Sequence, residues 1–248
     1  MDPRVNVIEK RLEKVKKVIA ISGGKGGIGK STVAATLALI LSEGGYKVGL
    51  LDLDLWGPSA HVIMGTGDVY PEEEKGVIPP DIHGVKFMSV VYYTLDRPLP
   101  LRKFGFNQAV IELLAVTLWG SLDFLIIDMP PGMADATLDV IRMIRKIIFC
   151  IIAVPSKVVL ETVNKTIKML KESGTPVIGV IENMGGKSFS VRERVKKFNI
   201  PFLGEIGFDP KLEEAVGDAA KLLRTDFAKS ISKIVENTDE FRLKTKNT

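Results

Sequence analysis

The sequence predicts a single doubly wound α/β domain on a mostly parallel sheet, with helices on both faces. Three observations carry that expectation: short apolar runs rich in β-branched residues recur along the chain, helical stretches separate most of them, and a glycine-rich turn joins the first run to the first helix. The runs are continuous rather than alternating, which suits strands covered on both faces.

In chain order, residues 1–16 form an arm or helix in which Lys10, Arg11, Lys14, Lys16 and Lys17 are interleaved with Glu9 and Glu13, a solvated face rather than a nucleic-acid patch. Val15 to Ile21 is the first strand, and Val33 to Leu41, made of helix formers, is the helix after it. Further strands are expected at Lys47 to Asp54, Val85 to Tyr92, Phe124 to Asp128, Ile147 to Val154, Val177 to Ile181 and Pro201 to Ile206. Helices are expected at Asn107 to Leu118, Ala136 to Arg145, Val158 to Glu172 and Val191 to Phe198. Gly65 to Pro80, with three consecutive glutamates, is an exposed excursion. Residues 219–248 form a helix and tail, in which Leu222, Leu223, Phe227, Ile231, Ile234 and Val235 follow helical spacing; this face docks on the sheet rather than on a membrane.

The length of 248 residues suits one large domain, so residues 1–248 are taken as a single unit. The apolar fraction of 46% and charged fraction of 26% exclude disordered and fibrous classes, and a net charge of +4 is too small to indicate a polyanionic partner. The N-terminus lacks an apolar leader and no stretch is long enough for a membrane span, so a cytoplasmic protein without stable membrane association is expected.

The turn reads Gly24-Lys25-Gly26-Gly27-Ile28-Gly29-Lys30-Ser31-Thr32, the full phosphate-loop pattern. Glycines let successive backbone N–H groups wrap a phosphate, and the following helix points its positive end at the same anion. Lys30 would neutralise the β- and γ-phosphates, Ser31 is the expected Mg²⁺ ligand, and Thr32 can reach the α-phosphate. A hydrolytic site also needs carboxylates at neighbouring strand ends. Asp128 ends an apolar run before Met129-Pro130-Pro131-Gly132 and is the natural partner of Mg²⁺, through water. Of Asp52 and Asp54, at most one is expected to face the site directly. Asp54 is the candidate for orienting water, and Asp52 reads equally as a structural hydrogen-bond acceptor.

The early Lys25 makes the loop resemble that of the deviant Walker A ATPases, a group that includes MinD, ParA and the nitrogenase iron protein. Within it, Asp52-Leu-Asp54-Leu-Trp-Gly57-Pro58-Ser59, Ile127-Asp128-Met-Pro130-Pro131-Gly132, Glu182-Asn183-Met184 and Pro201-Phe-Leu-Gly-Glu-Ile206 resemble the Mrp/ApbC-type ATPases. The resemblance runs from about Val18 to Asp218. It implies a homodimer closing around two ATP molecules, with Lys25 of each subunit on the other's phosphates, slow turnover, and Gly57–Ser59 and Pro130–Gly132 as nucleotide-sensing switches. It also implies that Asn183 hydrogen-bonds adenine; read alone, an Asn after a strand end is a turn former. This chain has Ile206-Gly207-Phe208-Asp209 where the family carries Ile-Pro-x-Asp, so ATP is favoured over GTP without being fixed.

Members of that family are associated with assembly and transfer of iron–sulfur clusters, commonly through a CxxC motif after the Glu-Asn-Met block. A cluster held between two subunits needs two thiolates from each chain. Gly185 to Ile200 contains none, and the only cysteine, Cys150, lies in an apolar strand. His61 and His83 have no second ligand at a recognisable spacing. A bound cluster is therefore not expected. The expectation is an ATP- and Mg²⁺-dependent switch acting on an unidentified protein client, with no nucleic-acid partner. A MinD- or ParA-like positioning ATPase and an ATP-sensing scaffold with negligible turnover are the competing readings.

Overall fold

The computed structural model describes residues 4–94, 105–132, 134–186 and 191–243. Residues 187–190 of the cysteine-free segment and the tail at 244–248 lie outside them.

The expected N-terminal arm is a helix, α1 (Arg4–Leu12), which buries Ile8 and Leu12 and leaves its basic residues largely outward. Then follow β1 (Val15–Gly23), α2 (Lys30–Glu43), β2 (Val48–Asp52), α3 (Ala60–Met64), the hairpin strands β3 (Glu72–Glu73) and β4 (Val77–Ile78), β5 (Asp81–Ile82), β6 (Val85–Ser89), α4 (Val91–Thr94) and α5 (Phe106–Val116). The second half contains β7 (Leu122–Asp128), α6 (Ala134–Met143), β8 (Ile147–Ala153), α7 (Lys157–Glu172), β9 (Val177–Gly185), α8 (Val191–Lys196) and β10 (Phe202–Gly207). It closes with α9 (Leu212–Ala215), α10 (Ala219–Leu222), α11 (Asp226–Glu236) and a 3₁₀ turn at Asp239–Phe241.

Eight strands form one sheet in the order β10-β9-β8-β1-β7-β2-β6-β5, parallel throughout except for β5 against β6. β1 is central, and the chain leaves it first toward β2 and later, from β7, crosses to β8. That reversal opens a crevice at the carboxyl ends of β1, β7 and β2, where doubly wound sheets bind ligands. The central strands are sealed on both faces: Ile19, Ile21, Leu50, Leu125, Ile126 and Ile151 are fully buried, each contributing roughly 1.5–3 kcal/mol of apolar burial.

Strand ends depart from the sequence expectation where side chains intervene. β2 stops at Asp52, whose carboxylate accepts from the Asp54 amide at 3.0 Å and turns the chain out of the sheet. β6 stops at Ser89, whose hydroxyl accepts from the Val91 amide at 3.3 Å and opens α4. The expected C-terminal helix is two helices, because Thr225 caps a new start by accepting from the Ala228 amide at 3.1 Å. α11 then packs Phe227, Ala228, Ile231 and Ile234 against β10 and α2, the expected docked face. Lys17 ties down the turn beyond it, donating to the carbonyls of Glu240 and Arg242 at 2.7 Å each.

Candidate nucleotide site

The glycine-rich turn lies between β1 and α2, as its pattern requires. Gly27 and Gly29 have φ of 76° and 83°, a left-handed conformation that only glycine adopts without strain. Gly29 is the residue before α2, and no side chain caps the helix, so its first amides are left to face the crevice. Lys30, only 6% exposed, folds its ammonium across the loop and donates to the Lys25 carbonyl at 3.3 Å. Burial pulls Lys30 below its ordinary pKa, with Asp128 and Asp54 opposing. The Lys25 side chain extends into solvent.

A cleft of about 610 Å³ opens over the turn. Gly26, Gly27, Gly29, Lys30, Ser31 and Thr32 form its phosphate end, with Asp54, Gly57 and Ser59 on one side and Pro131 from the loop after β7 on another. The structure thus brings together the residues of both expected switches. Gly24 and Ile28 lie on the buried side of the loop and do not line the cleft.

Behind Lys30 and Ser31 stands Asp128, fully buried, with no hydrogen-bond partner on either carboxylate oxygen. Its carboxyl is pushed up to about 7, chiefly by burial; the nearby Ser31 hydroxyl, which makes no well-directed hydrogen bond to it, and the Lys30 ammonium draw it down, and Asp54 raises it. Asp52 sits beside it in register and is also raised well above the ordinary carboxyl range, by burial first and by Asp128 second. Unlike Asp128, Asp52 is occupied: it accepts from the amides of Asp54 at 3.0 Å and Ala60 at 3.4 Å. That is the structural-acceptor arrangement, whereas Asp54 lines the cleft and accepts from the Gly57 amide at 3.3 Å. An orphaned buried carboxylate beside a serine hydroxyl is a donor set that suits a hard divalent cation such as Mg²⁺.

Asn183, at 3% exposure, does not line the cleft. Its amide nitrogen donates to the Ile28 carbonyl at 2.9 Å, and a Cβ on Gly29 would fall 2.3 Å from that nitrogen. Asn183 therefore braces the phosphate loop from β9. The far wall of the cleft is Phe208, Asp209, Pro210, Leu212 and Glu213, of which only Phe208 and Asp209 belong to the segment singled out in the sequence; Pro210, Leu212 and Glu213 do not. Its signal was present in the Ile206-Gly207-Phe208-Asp209 departure, and Phe208 stands 76% exposed at the rim.

Cys150 is fully buried in β8, and burial pushes its thiol up to about 12, the opposite of the thiolate that iron requires. Among the described residues no group of three or more His, Cys, Asp or Glu side chains comes together to hold a metal. None of the described helices is long and apolar enough to cross a membrane.

The ParA-group family model described as NUBPL iron-transfer P-loop NTPase matches residues 14–240. An iron-sulfur cluster carrier protein of Aquifex aeolicus is 37% identical over 223 residues, covering 83% of this chain and 61% of its own length, so the chain spans about six-tenths of that relative. The iron-sulfur cluster carrier protein of Pyrococcus furiosus is 36% identical over 241 residues, covering 87% of this chain and 82% of its own. A solved nucleotide-binding protein from Archaeoglobus fulgidus, in complex with ADP, superposes with a TM-score of 0.74 at 31% identity, covering 88% of this chain and 92% of that one.

Proposed function

The chain belongs to the family of NUBPL iron-transfer P-loop NTPases, and from that premise we propose that it is a Mg²⁺-dependent ATPase whose homodimer acts as a nucleotide-controlled switch or scaffold in iron–sulfur cluster assembly or transfer. The observation that carries the reading is the pairing of a complete phosphate cradle with the partnerless Asp128 carboxylate behind Lys30 and Ser31.

In this reading the amides from Gly26 to Ser31 enclose the β-phosphate, and Thr32 bonds the α-phosphate. The Lys30 ammonium leaves the Lys25 carbonyl to neutralise the β- and γ-oxygens. Ser31 and, through water, Asp128 would hold Mg²⁺, which would supply positive charge to offset that developing on the phosphates. Asp54, on the cleft wall, orients the attacking water. Lys25 reaches the phosphates of the partner subunit, and Pro131 with Gly57 and Ser59 registers whether a γ-phosphate is present. Asn183 holds Ile28 against the loop, and its remaining oxygen is available to the adenine amino group.

The cluster is cargo for a client protein, not a resident group. One buried cysteine per chain supplies at most two thiolates to a dimer, where a four-thiolate site needs four. The names of relatives, iron-sulfur cluster carrier protein and cytosolic Fe-S cluster assembly factor, support a cytoplasmic role with a protein partner.

Phosphate release from ATP, with Mg²⁺ present, tests the reading. Turnover is expected in the native protein and its loss in Lys30→Ala and Asp128→Ala; native-level release from either variant would refute the assignment.

A further inference from the structure

A second cavity, of about 330 Å³, borders the phosphate loop without sharing a lining residue with the nucleotide cleft. Its floor is Ser22 and Gly23, the last residues of β1, and its edge is Pro130 and Gly132, on either side of the cleft residue Pro131. α6 and α7 supply the walls.

The lining groups define a ligand. Ser22 is only 3% exposed and lines this space, so its hydroxyl can donate into it. Lys165 brings the one charge among the lining groups, and its side chain is exposed. Thr162 and Thr166 already donate, to the carbonyls of Val158 at 3.3 Å and Thr162 at 3.1 Å, so toward the cavity they offer only lone pairs. Leu138 and Met169 complete the walls with apolar surface. A compound that satisfies this set carries an anionic group for Lys165, an acceptor for Ser22, a hydroxyl donor for the threonines and a short carbon skeleton. The volume is at the small end of ligand pockets.

We propose that this cavity binds a small hydroxycarboxylate and that its occupancy alters nucleotide affinity. The coupling has a physical route. A Cβ on Gly24 would fall 2.7 Å from the Thr162 Cβ and 3.0 Å from the Val163 nitrogen, so α7 lies against the phosphate loop with no slack. A Cβ on Gly132 would lie 3.7 Å from the Gly24 carbonyl oxygen, so the switch loop closes on the same glycine. A ligand wedged between Thr162, Ser22 and Pro130 displaces α7 or the switch loop relative to Gly24, and nucleotide in the cradle must in turn change the ligand's affinity by the same factor. The binding half stands apart from the ATPase reading; the coupling half rests on it.

The test is a titration of ¹⁵N-labelled protein with L-malate and L-lactate at constant ionic strength, with propionate as the analogue lacking a hydroxyl. Saturable shifts at the amides of Ser22, Gly23 and Thr162 are expected for both hydroxy acids, and propionate should bind at least about fivefold more weakly. Ser22→Ala and Lys165→Gln should each weaken L-malate by about fivefold or more. Lys165 is exposed, so its variant decides the matter even if Ser22→Ala folds poorly. No saturable shift with either hydroxy acid, or unchanged affinity in the variants, would overturn the site. With L-malate saturating, ADP affinity should change by at least about fivefold; an unchanged value would overturn the coupling. ADP that fails to bind in either condition, with the malate shifts intact, would refute the nucleotide reading and leave the cavity assignment standing.

Discussion

Asp52 and Asp128 stand side by side in register at the carboxyl ends of β2 and β7, both fully buried, one hydrogen-bonded and the other not. The asymmetry divides their work. Asp52 is held by two backbone amides and shapes the turn into the cleft, while Asp128 keeps both oxygens unsatisfied behind Lys30 and Ser31.

Without Mg²⁺, the pair makes stability fall as pH rises. The folded protein holds the Asp128 proton up to about 7, whereas the unfolded chain releases it in the ordinary carboxyl range. Stability is therefore fully present below about pH 4 as far as this group is concerned, and is lost as pH climbs to about 7. Urea unfolding at pH 5 and pH 8 should show the decline, with a smaller one in Asp128→Asn because only Asp52 still titrates. Equal slopes in the two proteins would show that Asp128 does not carry the proton.

Gly29→Ala meets two obstacles: a φ of 83° and an Asn183 nitrogen 2.3 Å from the new Cβ. The backbone alone costs about 1–2 kcal/mol. The cost measured by urea unfolding should be smaller when Gly29→Ala is placed on an Asn183→Ala background, leaving the backbone part. Additive losses would mean that Asn183 moves aside freely.

Asn183→Ala also frees the Ile28 carbonyl from its 2.9 Å bond. Loss of one buried hydrogen bond costs about 1–2 kcal/mol, so ADP affinity measured by calorimetry should fall by roughly tenfold, with the cradle less well ordered before binding. Full affinity would remove Asn183 from both bracing and base recognition.

Lys25→Ala should separate binding from turnover. Its side chain is exposed and does not line this chain's own cleft, so ATP affinity should change less than about threefold while phosphate release falls by about 100-fold or more. A variant that turns over normally would refute the proposed cross-subunit clamp.

Much of this architecture is legible in the chain because its signals are local. The run of glycines between Ile21 and Val33 fixes the turn by backbone sterics, and the apolar strands announce a sheet covered on both faces. What stayed hidden depends on partners far away in sequence. Asn183 meets Ile28 across 155 residues, so its bracing role has no local signature. The early end of β2 comes from the Asp52 side chain folding onto the Asp54 amide, a choice that hydrophobic periodicity does not record. The cleft wall from Phe208 to Glu213 and the cavity floored by Ser22 arise only when several elements converge.

The most direct test of the central claim, that the cradle and Asp128 form one Mg²⁺-nucleotide site, is calorimetric titration of ATP with and without Mg²⁺ into native protein and Asp128→Asn. The native protein should bind ATP at least about tenfold more tightly with Mg²⁺, and the variant should lose most of that gain while retaining the Mg²⁺-independent part. An Mg²⁺ dependence unchanged in Asp128→Asn would contradict the account.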